Sequence, residues 1–272
     1  MVRRQLARPR PYRGDILGSV TCAGQSQCWA VGHYGDEGGP AQTLIMRWDG
    51  TSWIVVTSPN ATAVVTGEAQ RNRLAAVTCV SASDCWAVGS FSDVDGRGHT
   101  LVEHWDGETW TLANSPNATA VGTSRLAAVT CLSAADCWAV GYHNDHLAAS
   151  NGQPLIEQTL IERWDGSSWA VVSSPNTSAL PSNILSGVTC AAASDCWAVG
   201  HHSDATSGIR QTLIQRWNGS SWAVVSSPST SAAEDNSLSD VTCAWASDCW
   251  AVGSYVNGGG VNQTLMERFA PQ

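Results

Sequence analysis

Short runs of β-branched, small apolar and tryptophan residues alternate with polar turns along the chain, and the same four runs recur. In the third copy they are Leu126–Cys131, Cys137–Tyr142, Gln158–Trp164 and Ser168–Ser173. Runs of this length and composition, bounded by turn residues, predict β-strands. No segment has the 3.6-residue apolar period of an amphipathic helix. Each copy therefore predicts a four-stranded antiparallel sheet.

An Asp-Gly turn joins the third and fourth runs of most copies. In the third copy the letters "DGSS" stand between Trp164 and Trp169, whose rings can pack across the hairpin. Pro175 and Asn176 follow the fourth run and are expected to end the sheet.

The first cysteines of the five copies lie 57, 52, 59 and 53 residues apart, so the repeat spans nearly the whole chain. A small sheet that recurs five times has few ways to bury both of its faces. Stacking the sheets as blades around an axis buries both faces and protects most strand edges. The small residues that precede each Val-Thr-Cys suit the crowded strand nearest such an axis. We therefore predict an all-β, five-bladed β-propeller of four-stranded antiparallel blades.

The predicted blades belong to a single propeller domain, residues 16–272, and comprise residues 16–73, 74–125, 126–184, 185–237 and 238–272. The fifth blade contains only three of the four runs. Residues 1–15 form a basic N-terminal segment. When the residues before Cys22 are aligned without gaps to those before Cys190, residues 2–6 fall where the fourth strand of a preceding blade would lie. This segment is a candidate closing strand. The alternative is that the chain is a fragment of a longer array with a basic tail.

The repeat resembles the kelch repeat of the galactose-oxidase-like propellers. "RLAAVT" (73–78 and 125–130) is similar to the first kelch strand, "WAVG" to the strand that ends in a glycine doublet, and "RWDGSSW" to the tyrosine-to-tryptophan segment. The repeat also looks like the CWAVG and WDGxSW units of bacterial extracellular propellers. It departs from kelch in its added cysteine pair and in the residue that replaces the second glycine. These replacements are His33, Ser90, Tyr142, His201 and Ser254.

All ten cysteines form pairs separated by five residues, a spacing that zinc and redox motifs do not use. At the facing ends of a hairpin, β-carbons lie about 4.5 to 5.5 Å apart, close to the roughly 3.5 to 4.5 Å of a disulfide. We expect five disulfides within blades, with reduced core thiols as the alternative. Five such bonds indicate an oxidising compartment, and hence a secreted or cell-envelope protein, although no signal peptide is recognisable. The pairs are Cys22–Cys28, Cys79–Cys85, Cys131–Cys137, Cys190–Cys196 and Cys243–Cys249.

Composition and the absence of motifs exclude several classes of protein. The net charge of -9 and the lack of lysine argue against a nucleic-acid partner. No run of eighteen apolar residues occurs, so no membrane span is predicted, and we expect a monomer. The chain has no nucleophile elbow, phosphate loop or recognisable acid pair, and every cysteine has a local partner. These absences predict a protein that is not an enzyme and has no cofactor.

The loops between the second and third strands carry most of the variation between copies, and such loops are where binding residues concentrate. Aromatic faces pack on sugar rings and carboxylates bind their hydroxyls, so ten loop residues are predicted to bind a protein or carbohydrate ligand. In the alternative interpretation the aromatics cap the core and the Asp residues make turns. The ten are Tyr34, Asp36, Phe91, Asp93, His143, Asp145, His202, Asp204, Tyr255 and Asn257.

Two of these loops also hold incomplete metal motifs. His143, Asp145 and His146 are close in sequence, and residues 92–98 have half of the acid spacing of a calcium loop. Neither is sufficient, and no metal is predicted. The predicted function is a non-catalytic extracellular binding module. The alternatives are a glycan-active propeller enzyme, in which the Asp residues supply acid and base, and a purely structural repeat protein.

Overall fold

A computed structural model of the chain describes residues 14–35, 40–61, 71–120, 122–144, 156–177, 182–203, 207–227, 229–230, 233–245 and 248–269. These residues form five antiparallel sheets in which the strand order follows the chain. The fold is that of an all-β, five-bladed β-propeller, as the repeat predicts. The candidate closing strand, residues 2–6, lies outside the described residues.

The strands agree closely with the sequence pattern. Blade 1 consists of β1 (Ile16–Cys22), β2 (Cys28–Gly35), β3 (Ala41–Trp48) and β4 (Trp53–Val56). Blade 2 consists of β5 (Asn72–Ser81), β6 (Asp84–Ser92), β7 (Gly98–Trp105) and β8 (Trp110–Ala113). Blade 3 consists of β9 (Thr123–Ser133), β10 (Asp136–Asn144), β11 (Glu157–Trp164) and β12 (Trp169–Val172).

The last two blades repeat the pattern. Blade 4 consists of β13 (Ser182–Ala192), β14 (Asp195–Ser203), β15 (Arg210–Trp217) and β16 (Trp222–Val225). The described strands of blade 5 are β17 (Asn236–Trp245), β18 (Asp248–Val256) and β19 (Asn262–Phe269). No helix in the part of the chain that the structure describes is long and apolar enough to cross a membrane.

The described residues belong to two compact units. The first holds blades 1 and 2, up to Gly96 and again over Leu101–Ala113. The second holds Arg97–Thr100 and the described residues from Asn114 onwards, which include blades 3, 4 and 5.

The two inner strands of each blade are fixed at both ends. At one end the cysteines face each other across the hairpin and form the five predicted disulfides, so the alternative of reduced thiols is wrong. Five disulfides are typical of proteins from oxidising compartments. At the other end the "WAVG" glycine allows close backbone approach, because a β-carbon on Gly141 would overlap the carbonyl oxygen of Arg125.

The Asp-Gly turns are also confirmed. The Asp165 side chain accepts hydrogen bonds from the backbone N–H groups of Ser167 and Ser168, at 2.8 and 2.9 Å. Together with the Ser167 hydroxyl, these bonds lower the pKa of Asp165 to about 2. Gly166 supplies the positive φ, 95°, that the turn needs.

Consecutive blades within a unit pack through tryptophans. In the first unit Trp29 lies with its ring centroid 4.7 Å from Trp105 and 5.2 Å from Trp110 of the next blade. In the second unit Trp138 lies 4.9 Å from Trp217 of the next blade. We call the side of a blade that carries this tryptophan its rear face. The opposite side, which carries the Leu and Val of the first strand (Leu74 and Val77 in blade 2), is its front face.

One buried polar position recurs on the front face. Its residue accepts a hydrogen bond from the serine that follows the fourth strand of the preceding blade, as Glu162 does from Ser115 at 2.8 Å. Burial raises the pKa of both Glu103 and Glu162 to about 8. Blade 1 has the apolar Met46 at this position. The other serine pairs are Ser58–Glu103, Ser174–Gln215 and Ser227–Glu267.

Candidate functional site

The sequence-predicted aromatic and imidazole residues all lie at the end of the second strand of their blades. Phe91 and Tyr255 are partly buried against blade cores, and Tyr34 packs on the small cluster around Met46. His143 and His202 are half-buried, and this burial lowers the pKa of both below its usual value. Phe91, Tyr255 and Tyr34 therefore each cover the edge of a hydrophobic core.

The predicted polar residues that the structure describes organise turns. Asp93 accepts a hydrogen bond from the backbone N–H of Asp95 at 2.9 Å. Asn257 accepts two, from Gly259 and Val261, at 3.0 and 3.1 Å. Ligand binding by the ten residues remains a prediction, since turn formation does not exclude it. Asp36, Asp145, Asp204 and His146 lie outside the described residues.

The described residues hold no group of three or more His, Cys, Asp or Glu side chains that could bind a metal ion. In the half calcium motif at 92–98, the Asp93 carboxylate is engaged by the turn's own backbone.

A different set of side chains comes together in the second unit, and we call it the polar cluster. It begins on blade 3, where Arg125 of β9 faces Tyr142 of β10 across the sheet. The Arg125 guanidinium donates a hydrogen bond to the Tyr142 phenol oxygen. Burial and the nearby Glu157 nevertheless keep the pKa of Tyr142 above its usual value. The members of the cluster are Arg125, Tyr142, Glu157, His201 and Arg210.

Glu157, the first residue of β11, is the central carboxyl group of the cluster. It pairs with Asn144 of β10, so its side chain shares a face with Tyr142. The Ser182 hydroxyl donates a hydrogen bond to it, and Arg125 and Arg210 both lie within electrostatic range. Burial outweighs these stabilising contacts and raises the pKa of Glu157 above its usual value. This half-buried carboxyl group thus retains its proton to higher pH than an exposed glutamate, although two arginines lie within electrostatic range.

Blade 4 supplies the other half of the cluster. Burial, with Arg210 and His202 acting in the same direction, lowers the pKa of His201 to about 4, against the opposing charge of Asp235. The backbone N–H of Arg210 donates a 2.8 Å hydrogen bond to Asp235. His201 is therefore neutral at neutral pH and can accept a proton.

The cluster combines a carboxyl group with a raised pKa, a neutral imidazole, a phenol and two arginines. Arg125 and Arg210 are exposed at the surface, so a ligand has access to two guanidinium groups. Guanidinium groups bind carboxylate and sulfate oxygens through paired hydrogen bonds. The geometry can thus bind an anionic or hydroxyl-rich ligand and transfer protons to it.

Sequence reasoning did not assign these residues to a site. The available signal was a failure of repetition: Tyr142 and His201 stand where the kelch pattern has its second glycine and where the other copies have His33, Ser90 and Ser254. Glu157 and Arg210 each directly precede the recurring Gln-Thr-Leu-Ile of the third strand, at a position where the residue type varies between copies.

No family model and no curated protein matches the chain, so the kelch resemblance has no support beyond the repeat itself. Its fold is similar to that of solved structures. A protein of unknown function from Dyadobacter fermentans has a TM-score of 0.56 and 12% identity, over 95% of this chain and 80% of that one. An ulvan lyase, bound to -[GlcA(1-4)Rha3S]-, has a TM-score of 0.57 and 11% identity, over 92% of this chain and 66% of that one. A thermostable family-43 glycoside hydrolase has a TM-score of 0.45 and 10% identity, over 94% and 90%.

The prediction that the chain is not an enzyme was wrong in its reasoning. The fold is similar to that of a polysaccharide lyase, so this scaffold is compatible with catalysis. Missing motifs do not exclude an active site on such a scaffold, because the polar cluster takes its residues from five strands of two blades. Groups that meet only in the folded chain leave no short sequence signature.

Proposed function

We propose that this protein is a glycan-active enzyme and that the polar cluster is its active site. The observation that carries the proposal is Glu157, a half-buried carboxyl group with a raised pKa that lies within range of two surface arginines. Perturbed titratable groups of this kind are concentrated at functional sites. The similarity in fold to a lyase that binds a saccharide supports glycans as the substrate class.

Glu157 is the proposed proton donor. Cleavage of a glycosidic bond needs a proton on the leaving oxygen, and a carboxylic acid serves best when its pKa is raised towards the working pH. Burial provides this shift, and the Ser182 hydroxyl fixes the direction of the carboxyl group.

Tyr142 and Arg125 are positioning residues in this proposal. Their hydrogen bond holds the phenol next to Glu157, and the pairing of the first and second strands of blade 3 places the two residues opposite each other. The guanidinium groups of Arg125 and Arg210 neutralise negative charge on the substrate. His201 lies within electrostatic range of Arg210 and is neutral at neutral pH, so it adds no positive charge beside this arginine.

The proposed setting is outside the cytoplasm, in the secreted fraction or the cell envelope. Five disulfides support this location because thiols stay reduced in the cytosol. A carbohydrate is the proposed partner in preference to a protein, because the cluster contains hydrogen-bonding and charged groups without an apolar patch.

The experiment is a screen of neutral and anionic polysaccharides with the wild-type protein. New reducing ends report any cleavage, and ultraviolet absorbance of unsaturated products separates a lyase from a hydrolase. We expect cleavage of at least one polysaccharide, loss of most activity in Tyr142→Phe, and little change in Tyr34→Phe. Equal activities of the two variants would overturn the assignment of the site, because Tyr34 belongs to the first unit and packs near Met46.

A further inference from the structure

The first residue of the third strand has the same position in every blade but differs in charge. It is uncharged in blades 1, 2 and 5, where it is Ala41, Gly98 and Asn262. It is charged in blades 3 and 4, where it is Glu157 and Arg210. Blades 3 and 4 are consecutive and both belong to the second unit. The proposed acid and a cation therefore occupy equivalent positions on neighbouring blades.

This position contacts the next blade of the unit. Glu157 accepts a hydrogen bond from the hydroxyl of Ser182 in blade 4. The backbone N–H of Arg210 donates a 2.8 Å hydrogen bond to Asp235, which directly precedes the first strand of blade 5. Ser182 and Asp235 both stand three residues before the recurring leucine of that strand. Equivalent contacts thus hold Glu157 and Arg210 at two successive blade junctions.

The guanidinium group of Arg210 is available to a ligand. Arg210 is exposed and lies within electrostatic range of Glu157. Its hydrogen bond to Asp235 uses the backbone N–H, and no carboxylate of the described residues forms an ion pair with its side chain. Three other arginines of the second unit each donate a hydrogen bond of 2.8 to 2.9 Å to an aspartate of their own blade. These are Arg163, Arg216 and Arg268.

A charged group on the substrate fits this position better than a neutral sugar does. A sugar that covers Arg210 removes water from the guanidinium, and hydroxyl groups alone would leave its charge without a counter-charge, which is costly. A carboxylate or a sulfate supplies both the charge and paired acceptor oxygens. When Glu157 carries its proton, the positive charges of Arg125 and Arg210 face only the one negative charge of Asp235, in a chain with a net charge of -9.

We propose that the substrate of the polar cluster is an anionic polysaccharide and that Arg210 selects it, by binding a carboxylate or sulfate on the sugar next to the bond that Glu157 protonates. The cleaved bond is the one assigned to Glu157 above, so this choice of substrate rests on the proposed function. Selection by Arg210 acts on binding, and binding is measurable without turnover.

The test measures binding and cleavage separately on matched pairs of polymers. Polygalacturonate is compared with its carboxyl-reduced neutral form, and dextran sulfate with dextran, so that charge is the difference within each pair. Isothermal titration calorimetry at one salt concentration gives the affinities, and new reducing ends report cleavage. Arg210→Gln removes the selecting cation, whereas Arg210→Lys keeps the charge without the paired donors.

The matched control is Arg268→Gln. It removes the same charge from a side chain that is 58% exposed at the disulfide end of blade 5. Thermal unfolding checks that the three variants are folded.

We expect the wild type to bind one charged polymer at least about tenfold more tightly than its neutral partner. Arg210→Gln should lose at least about tenfold in affinity for that polymer, Arg210→Lys should lose less, and Arg268→Gln should stay within about twofold of the wild type. Preference for polygalacturonate identifies a carboxylate as the selected group, and preference for dextran sulfate identifies a sulfate. Equal affinities for the charged and neutral polymers would overturn the proposal, as would equal losses in Arg210→Gln and Arg268→Gln.

Failure of this proposal and failure of the proposed function give different results. Binding of a charged polymer that depends on Arg210, without any cleavage, would support the selection by Arg210 and contradict the proposed function. Cleavage at the same rate of a charged polymer and its neutral partner, unchanged in Arg210→Gln, would support the proposed function and overturn the selection.

Discussion

The Ser115 hydroxyl donates a 2.8 Å hydrogen bond to one carboxyl oxygen of Glu162, while the other carboxyl oxygen is buried without a partner among the described atoms. The same place in blade 4 is occupied by Gln215. Its amide oxygen accepts from Ser174 at 2.8 Å, and its amide nitrogen donates to the carbonyl of Pro175 at 2.9 Å. A protonated Glu162 can reproduce this donor, whereas an ionised Glu162 cannot.

The first prediction concerns stability against pH. The pKa of Glu162 is about 8 in the folded chain and near 4.5 when unfolded, so the folded state binds more protons between these values. Stability therefore falls as pH rises through this window. Glu162→Gln should remove part of the fall and make the protein more stable than wild type at about pH 9. The gain should be a few kcal/mol at most, since one pKa unit corresponds to about 1.4 kcal/mol.

Urea unfolding at about pH 5 and about pH 9 measures this effect. Gln215→Glu is the reciprocal variant, and it should add a pH dependence of the same sign. If Glu162→Gln is less stable than wild type at the higher pH, the protonated state assigned to Glu162 is wrong.

The second prediction compares two tryptophans at the same repeat position. Trp138 is fully buried against the next blade, whereas Trp250 is 39% exposed. Trp138→Leu should lower the free energy of unfolding by about 2 to 4 kcal/mol, because it leaves a cavity between blades. Trp250→Leu should cost less than about 1 kcal/mol. Equal losses for the two variants would contradict the difference in burial between these tryptophans.

The third prediction concerns the disulfides. Each closes a loop of about seven residues, which in the chain-entropy model contributes about 2 kcal/mol. Removal of one pair, by Cys131→Ala with Cys137→Ala, should lower the free energy of unfolding by at least this amount, because Cys137 is also buried. Titration of thiols in the denatured, unreduced wild type should find close to none. More than about one thiol per chain is incompatible with five bonds.

The strands and disulfides were predictable because they recur. The run Leu126–Cys131 is part of a longer strand, Thr123–Ser133, because pairing with the neighbouring strand continues past the apolar residues.

The buried hydrogen bond between Ser115 and Glu162 was not predicted, although the serine and the polar residue recur in other blades. From sequence alone, a charged residue in a strand is expected to face solvent. Its burial becomes apparent only when the packing of the preceding blade is known.

The polar cluster could not be predicted for a different reason. Glu157 and Arg210 belong to different blades and come within electrostatic range of each other only when the sheets stack. The residue types at these two positions differ from copy to copy, so repetition, the strongest signal in this sequence, does not select them. The aromatic positions that repetition did select include Phe91 and Tyr255, which cover core edges.

The fourth prediction is the pH profile of glycan cleavage. The proton donor is lost as pH rises through the raised pKa of Glu157, so the alkaline fall in rate should lie above the range of an ordinary glutamate. Glu157→Gln should remove this alkaline fall. An alkaline fall in the range of an ordinary glutamate would contradict the raised pKa of Glu157.

The central claim is that the polar cluster cleaves glycans with Glu157 as its acid, and its most direct test is the turnover of Glu157→Gln. The control is Glu108→Gln, an exposed glutamate in the Asp-Gly turn of blade 2. On the polysaccharide that the wild type cleaves fastest, the account predicts that Glu157→Gln loses at least about a hundredfold in kcat while its binding changes by less than about threefold. Glu108→Gln should match the wild type. A Glu157→Gln protein that cleaves within about threefold of the wild-type rate would contradict the claim.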